Sequence, residues 1–359
     1  LGRHRRPRPR IHGRDGLCRA RLAQAGTASH GGWCLMLTPP FILHRPRSVE
    51  EACSIAADLA SAGRPFDWVA GGTDLLPNYK WHLNPKGDVI SLAHVEGADA
   101  LEANRVGCMA RLHDVATSDV VHPLLAVAAA KVASSLIRRS ATVGGNLCLD
   151  TRCFWYNQSE DWRRSIEWCH KADCGTGADC RVIPNQNTLC VATYQGDMAA
   201  AFMALEAEVE LVGPEGERRM PLDEFFELDG MKKNVLMPGE FLVCVHLPDD
   251  ASTRVGAYHK LRVRETWDFP EAGVAASWIP GDATSLRVAS TGLESIPGMH
   301  TDVVEAHADW TETEGRKRFS KALQKAIKPV NNTALPPRYR RSMVSVLASR
   351  ALRAITQED

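Results

Sequence analysis

Cysteine is the residue type whose number and placement most directly indicate chemistry in this sequence. The chain has 11 cysteines, and they are unevenly spread. One segment of about 40 residues holds Cys148, Cys153, Cys169, Cys174, Cys180 and Cys190. An odd number of cysteines in this arrangement does not fit a secreted disulfide framework. The segment therefore predicts a metal-binding insert in a protein of a reducing compartment, the cytoplasm.

The spacing of these cysteines leaves the kind of centre open. The chain contains no Cys-x-x-Cys pair. A [4Fe–4S] cluster needs only four thiolates that converge in space, and four thiolates equally suit a structural zinc ion. From the residues alone, a cluster, zinc and free thiols are equal alternatives.

Two glycine loops form the second pattern with chemical meaning. VAGGTDL at 69–75 follows a short apolar strand, and ATVGGNL at 141–147 follows the basic segment 137–139. Glycine lets a backbone turn sharply and approach a ligand, with N–H groups exposed to an anion. Neither loop matches the GxGxxG fingerprint or the P-loop. If the two loops converge, they can hold a diphosphate from two sides.

Other residue types give weaker signals. The chain has no HExxH motif and no GxSxG elbow. Its histidines are dispersed, among them His113, His122, His170, His246, His259 and His300. The pattern therefore does not favour a hydrolase. The last predicted helix begins with a basic cluster of Arg338, Arg340 and Arg341. This cluster is expected to be either a solvated helix face or an interface with a partner subunit.

The elements that must position these residues follow from periodicity. A helix is predicted over 48–62 with Ser48 as its N-cap, and strands at 67–70 and 88–92. Residues 153–190 lack periodicity, and a helix at 197–205 and a strand at 207–213 follow. After about residue 240, strand-length apolar runs precede helices near 316–328 and 339–355, which predicts an antiparallel sheet covered by helices.

Length and charge limit the class of protein. A chain of 359 residues should hold two or three domains. Its 43 basic and 43 acidic residues give no net charge, which argues against nucleic-acid binding. No apolar run is long enough to span a bilayer. The Arg-rich segment 1–35 is expected to be a disordered or non-native tail, with the folded pattern beginning at Phe41.

Taken together, the motifs resemble the FAD-binding subunit of the molybdenum hydroxylases, the xanthine dehydrogenase and carbon monoxide dehydrogenase class. The two glycine loops lie about 70 residues apart in the family's order, followed by Gly196-Asp197 and by KLRVR at 260–264. The resemblance covers Phe41 to Leu352. It implies an α+β fold: a two-part FAD-binding domain of the vanillyl-alcohol-oxidase/PCMH type, then a smaller domain with a three-stranded antiparallel sheet and helices. The implied division is 36–238 for the first domain, with an iron–sulfur insert at 150–192, and 239–359 for the second.

The resemblance also implies which residues hold FAD. The first diphosphate loop comprises Ala70, Gly71, Gly72, Thr73, Asp74 and Leu75, and the second comprises Thr142, Gly145 and Asn146. Asp197 is expected to accept a hydrogen bond from the adenosine ribose. Lys260 is expected near the flavin ring, or else is a surface lysine on a strand.

The cysteine insert most resembles that of the 4-hydroxybenzoyl-CoA reductase beta subunit, which carries a [4Fe–4S] cluster. The shared features are LCLDTRC, YNQS, the step of 16 residues from Cys153 to Cys169, and CRVIP before Cys190. The implied ligands are Cys153, Cys169, Cys180 and Cys190. The stretch between Cys169 and Cys180 is longer than in that family and contains Cys174, which is an alternative to Cys180 as a ligand.

The resemblance implies an electron-transfer subunit with no catalytic residue of its own. Substrate chemistry, the reductive dehydroxylation of an aromatic acyl-CoA, would occur on a large molybdopterin-binding subunit. A small subunit with two [2Fe–2S] clusters and an external carrier such as ferredoxin would complete the electron path, in a dimer of heterotrimers. The alternatives are a related hydroxylase acting on another aromatic or heterocyclic substrate, and a stand-alone flavin oxidase with a zinc-binding insert.

Overall fold

The computed structural model describes residues 38–171, 179–185 and 189–357. The predicted tail at 1–35 and Cys174 lie outside these residues. The first elements are β1 (Ile42–His44), α1 (Val49–Ser61), β2 (Phe66–Val69), α2 (Leu75–Lys80) and β3 (Asp88–Ser91). The strands form a parallel sheet in the order β1-β3-β2. Ser48 caps α1 by accepting a hydrogen bond from the Glu51 backbone N–H at 3.2 Å, which confirms the predicted helix start.

A run of short helices separates the two predicted glycine loops. The elements are β4 (Arg105–Gly107), α3 (Leu112–Thr117), α4 (Pro123–Ala130), α5 (Ser135–Arg138) and α6 (Val143–Leu147). The second glycine loop therefore lies at the start of α6. The insert that follows has one short helix among its described residues, α7 (Glu160–Ser165). This agrees with the lack of periodicity in its sequence.

The middle of the chain builds a second sheet around a buried helix. The elements are α8 (Asp197–Ala204), β5 (Glu208–Gly213), β6 (Gly216–Pro221), a 3-10 helix (Leu222–Phe225) and β7 (Phe241–His246). The sheet has the antiparallel order β4-β7-β5-β6. All eight residues of α8 are buried, as expected for a helix that is apolar around its whole circumference.

The last part of the chain forms a third sheet covered by helices, as the sequence predicts. After a second 3-10 helix (Asp249–Thr253), the elements are β8 (Val255–Leu261), β9 (Ala272–Ile279), β10 (Asp282–Thr291), β11 (Gly298–Met299), α9 (Thr301–Glu305), α10 (Thr313–Ala326) and α11 (Pro337–Thr356). The antiparallel order is β11-β10-β9-β8. The expected three strands are present, and the two-residue β11 adds a fourth at one edge.

Two large cores hold these layers together. One core joins the second sheet and α8 to α3, α4 and the residues that follow β3, and it includes Tyr258, Ala275 and Ala289 from the third sheet. The other lies between the third sheet and α10 and α11. The mixed helix and strand composition agrees with the predicted α+β class. β7 follows the predicted division at 238/239 and pairs with β4 and β5, and the division itself stays a prediction.

No helix in the described part of the chain has both the length and the apolar character needed to cross a membrane.

Candidate functional site

The two glycine loops line one large cavity. Its volume is about 1120 Å³, and its walls come from the ends of β2 and β3, the start of α6, the first residue of α8 and the cysteine insert. The structure brings ten predicted FAD-binding residues to this cavity: Ala70, Gly71, Gly72, Thr73, Asp74, Leu75, Thr142, Gly145, Asn146 and Asp197. Residues separated by more than a hundred positions in the chain therefore share one surface.

The first loop, residues 70–75, offers backbone donors to the cavity. No described group accepts a hydrogen bond from the backbone N–H groups of residues 71–74. Gly71 packs directly on the residues before the second loop, since a Cβ atom built on it would lie 1.8 Å from the Ser140 carbonyl oxygen. Gly72 has a φ of 67°, a backbone conformation that glycine adopts without strain. The loop thus combines free donors with a close approach that requires glycine.

The second loop contributes shape rather than free donors. Thr142 caps α6, and its Oγ1 accepts a hydrogen bond from the Gly145 N–H at 3.1 Å. The N–H groups of Val143, Gly144 and Asn146 all donate to backbone carbonyl oxygens. The Asn146 side-chain oxygen accepts from the Met198 N–H at 2.9 Å, which fixes this loop to α8. The expected symmetry of two donor loops is therefore not present.

Asp197 and Lys260 form a buried ion pair at the cavity wall. The Lys260 Nζ lies 2.9 Å from Asp197 Oδ1, and the two side chains are 1% and 2% exposed. Tyr258 donates to Asp197 at 2.8 Å, and Lys260 also donates to the Lys131 carbonyl oxygen at 2.9 Å. Burial raises the pKa of Asp197 and lowers that of Lys260, and their pairing opposes both shifts. Lys260 is thus a buried partner of Asp197 rather than a surface lysine.

Three side chains in the cavity wall have a buried nitrogen without a hydrogen-bond partner among the described residues, and the third is His170 Nε2. The Arg152 Nε and the Asn157 Nδ2 are buried and have no hydrogen-bond partner among the described residues. Arg152 pairs with Asp74 and lies 4.8 Å from the centre of the Phe269 ring. Burial lowers its pKa to about 10, so the guanidinium stays charged at neutral pH. Free donors beside a cation suit an anionic ligand, and a diphosphate fits these residues.

A second, smaller cavity lies in the insert and is lined by Cys153, Cys169, Cys180 and Cys190. All four cysteines are buried, with exposures of 4–7%. The structure therefore brings together the four predicted cluster ligands, including Cys180. Burial raises the pKa of Cys153 to about 12 and that of Cys190 to about 11. Thiols in this environment become thiolates only when a cation compensates for their burial.

The sulfur atoms of this cavity are spread more widely than in a mononuclear site. Among the described residues, the one group of three metal-binding side chains whose ligand atoms lie within 4.8 Å of one another is elsewhere in the chain. Four thiolates on one zinc ion, with Zn–S bonds of about 2.3 Å, would have sulfur atoms about 3.8 Å apart. The thiols of this cavity are therefore not held at the spacing of a preformed zinc site.

The compact group is Glu210, Cys244 and His246 on β5 and β7. The His246 Nε2 lies 2.6 Å from Glu210 Oε2 and 3.1 Å from Cys244 Sγ. Arg219 donates to the same Glu210 oxygen at 3.3 Å. Because the chain supplies its own cation to this carboxylate, the group is an ion-pair network on the sheet.

The two cavities share a wall. Tyr156, His170 and Lys171 line both the large cavity and the cysteine cavity. Sequence reasoning did not predict a role in the site for His170, Lys171 or Arg152. These residues lie close to Cys153 and Cys169 in the sequence, which was a usable signal for a role near the cysteines. Which side of the insert faces the glycine loops, however, depends on contacts between residues that are far apart in the chain.

Comparison with known proteins adds independent information. Residues 39–250 match the family model described as the FAD binding domain in molybdopterin dehydrogenase. The chain is 30% identical over 295 residues to the aldehyde oxidoreductase FAD-binding subunit PaoB of Escherichia coli (strain K12), covering 78% of this chain and 90% of that protein. It is 24% identical to the carbon monoxide dehydrogenase medium chain of Afipia carboxidovorans, covering 88% of this chain and 97% of the relative.

Solved structures show the same fold. A chain of carbon monoxide dehydrogenase from Oligotropha carboxidovorans superposes with a TM-score of 0.71 at 19% identity, covering 90% of this chain and 100% of that chain. A chain of quinoline 2-oxidoreductase from Pseudomonas putida 86 superposes with a TM-score of 0.68 at 18% identity, covering 90% and 99%.

Proposed function

The chain belongs to the family of FAD-binding domains of molybdopterin dehydrogenases, and we propose that it is an electron-transfer subunit that holds both FAD and a [4Fe–4S] cluster. FAD supplies reversible electron uptake when bound, and the protein supplies distance, burial and charge. The observation that carries the proposal is the wall of Tyr156, His170 and Lys171 shared by the two cavities. Two redox groups held in these cavities would be neighbours within one chain.

The proposed FAD site is the large cavity. The free N–H groups of residues 71–74, with Arg152 beside them, would hold the diphosphate. Gly145 allows close approach on the opposite side. The Asp197 Oδ1 lies close to both Tyr258 and Lys260, whereas its Oδ2 accepts from Lys260 alone and retains a second lone pair for a ribose hydroxyl. Lys260 is not among the residues that line the cavity, and it would act by holding the Asp197 carboxylate in position.

The proposed cluster site is the cysteine cavity, with Cys153, Cys169, Cys180 and Cys190 as ligands. Burial of all four cysteines around one small cavity supports a shared metal centre, and the resemblance to the 4-hydroxybenzoyl-CoA reductase insert favours a cluster over a single zinc ion. Cys180 lines the cavity and Cys174 lies outside the described residues, so the assignment of the fourth ligand to Cys180 is part of the proposal.

The proposed reaction follows the resemblance to 4-hydroxybenzoyl-CoA reductase. Reductive dehydroxylation of an aromatic acyl-CoA would occur on a large molybdopterin subunit, with a small 2×[2Fe–2S] subunit and an external carrier such as ferredoxin, in a dimer of heterotrimers.

The second candidate is the flavin subunit of a hydroxylase with another substrate. It is supported by the varied names of the relatives, which include an aldehyde oxidoreductase and xanthine dehydrogenase subunits.

The first experiment measures FAD, iron, labile sulfide and zinc in one anaerobically purified sample. We expect about four irons and four sulfides per FAD. Cys180→Ser should lower the iron content and retain FAD, whereas Cys53→Ser, a change outside the insert, should retain both. Zinc without sulfide would contradict the cluster and favour a stand-alone flavoprotein with a structural insert.

A second experiment separates the two candidate reactions. The complex is isolated from its native source through a tag on this chain, and its subunits are identified by mass spectrometry. Reduction of an aromatic acyl-CoA by reduced ferredoxin would support the reductase. Hydroxylation of a heterocycle with an artificial electron acceptor would support the hydroxylase.

A further inference from the structure

Lys171 is a buried cation in the wall between the two cavities. Its side chain is 6% exposed. Its Nζ donates to Asp150 Oδ1 at 3.0 Å, to the Thr151 carbonyl oxygen at 3.0 Å and to Thr151 Oγ1 at 2.6 Å. All three ammonium protons therefore have acceptors, which fixes the position of the charge.

The partners of Lys171 belong to the flavin side, and its neighbours in sequence belong to the cysteine side. Asp150 lines the large cavity, and Cys169 lines the small one. The Nζ also lies 4.7 Å from the centre of the Tyr156 ring, a cation–π contact within the same wall. Lys171 thus joins the two sites by direct contacts.

The charge acts on the cysteines. Lys171 lines the small cavity together with Cys153, Cys169, Cys180 and Cys190, so its charge lies beside the space that the four thiols surround. A group that favours negative charge on the thiols also favours negative charge on any centre that the thiolates hold. This electrostatic effect is strong because the site is buried and poorly screened.

We propose that Lys171 is a positioning residue that raises the reduction potential of the four-cysteine centre and thereby favours electron residence next to the flavin cavity. The proposal rests on the proposed function, because it requires the cluster. Reduction of the cluster adds one electron and no atom, so its negative charge increases by one. A fixed ammonium nearby stabilises that charge.

The test is Lys171→Met in the intact chain with FAD and cluster bound. We expect the iron, sulfide and FAD contents to be retained and the midpoint potential of the cluster to shift to more negative values, measured by a redox titration monitored by electron paramagnetic resonance. Lys171→Arg, which keeps the charge, should remain close to the native value. The matched control is Lys232→Met, because that lysine is 61% exposed and its charge is screened by water.

A second variant reverses the sign. Asp150→Asn removes the negative partner and keeps the ammonium, so the potential of the cluster should shift to more positive values. A merely structural role would not produce opposite shifts from the two variants. If Lys171→Met fails to assemble, Lys171→Gln, which keeps hydrogen-bond donors but removes the charge, decides the proposal by the same measurement.

The possible failures are distinguishable. A native protein with FAD but no iron and sulfide overturns the proposed function and this inference together. A native protein with the cluster, in which Asp150→Asn leaves the potential unchanged or shifts it to more negative values, overturns only the role of Lys171. An unchanged potential in an assembled Lys171→Met variant has the same consequence.

Discussion

At the scale of single residues, Gly71 has the strictest steric requirement in the proposed FAD site. A Cβ atom there would lie 1.8 Å from the Ser140 carbonyl oxygen and 3.2 Å from the Ala141 Cα. These are backbone atoms, which cannot rotate away as a flexible side chain can. We expect Gly71→Ala to separate the two loops and to weaken FAD binding by at least about tenfold, a loss of about 1.4 kcal/mol of binding free energy.

The measurement for Gly71→Ala is FAD affinity, obtained by fluorescence titration of the FAD-free chain. The matched control is Gly87→Ala, because a Cβ at Gly87 meets no atom within 4 Å. The control should bind FAD as the native chain does. Equal affinity for the native chain and Gly71→Ala would show that the contact between the loops does not shape the site.

The sequence predicted the residue types of the site but not the partners of each residue. The glycine loops were recognisable because their spacing is local. The backbone donors of the second loop proved to be used by Thr142 and by the carbonyl oxygens of Cys108 and Ala110, and the Lys260–Asp197 pair joins residues 63 positions apart. Arg340 opens the last helix and was expected on a solvated face or an interface. It is fully buried and donates to the carbonyl oxygens of Glu271 and Gly292. Burial by distant segments is not visible in local patterns.

At the scale of elements, one carboxylate connects the three strands of the parallel sheet. Asp88 is the first residue of β3, and its side chain is 5% exposed. It accepts from His44 at the end of β1 at 2.9 Å and from the Arg64 Nε before β2 at 3.0 Å. Burial alone would raise the pKa of Asp88, but the hydrogen bonds from His44 and Arg64 outweigh it and lower the pKa.

The lowered pKa gives a signed prediction for acid stability. A carboxylate with a lower pKa in the folded state stabilises the protein above its unfolded pKa, and this contribution is lost as the pH falls through the folded value. We expect Asp88→Asn to reduce the free energy of unfolding by about 2 kcal/mol at pH 7. The difference from the native chain should shrink below about pH 4.

Urea unfolding at several pH values measures this difference. Asp58→Asn, a change at an exposed residue of α1, is the control and should stay within about 0.5 kcal/mol of the native chain at every pH. A difference for Asp88→Asn that stays constant from pH 7 to pH 3 would contradict the assigned role of Asp88.

The boundaries of elements were predicted well where a cap or an apolar run marks them. The sheet to which a strand belongs was predicted less well, because it depends on which strands pair. Ser48 marks the start of α1 in the sequence. β7 looks like the first strand of a new domain because the texture changes near residue 240, yet its partners are β4 and β5. Pairing between strands joins residues far apart in the chain, and a single sequence does not reveal it.

At the scale of the whole molecule, α8 connects the layers. It packs on the second sheet through the first core and also contacts β9 and β10 of the third sheet. Its first residue, Asp197, pairs with Lys260 and accepts from Tyr258, both on β8. The proposed FAD cavity therefore borders the junction of the two parts of the chain, and binding there should stabilise the junction.

The last prediction concerns this ion pair. Lys260→Met leaves the Asp197 carboxylate buried without its cation, and we expect a loss of about 3–5 kcal/mol in the free energy of unfolding. Asp197→Asn leaves Lys260 buried in the same way and should cost a similar amount. The double variant carries no unpaired charge, so its loss should be smaller than the sum of the two single losses.

Urea unfolding of the FAD-free chain measures these three variants without any contribution from ligand binding. Losses that add to within about 0.5 kcal/mol would mean that the two side chains act independently and that the pair does not join the layers. The same variants titrated with FAD test the ligand role separately. The stabilisation by FAD should grow with its concentration in the native chain and should be reduced wherever the Asp197 carboxylate is absent, because a ribose hydroxyl then loses an ionised acceptor. The free energy of unfolding without FAD thus measures how the ion pair stabilises the junction. The increase in that free energy when FAD is added measures the contribution of Asp197 to ligand binding.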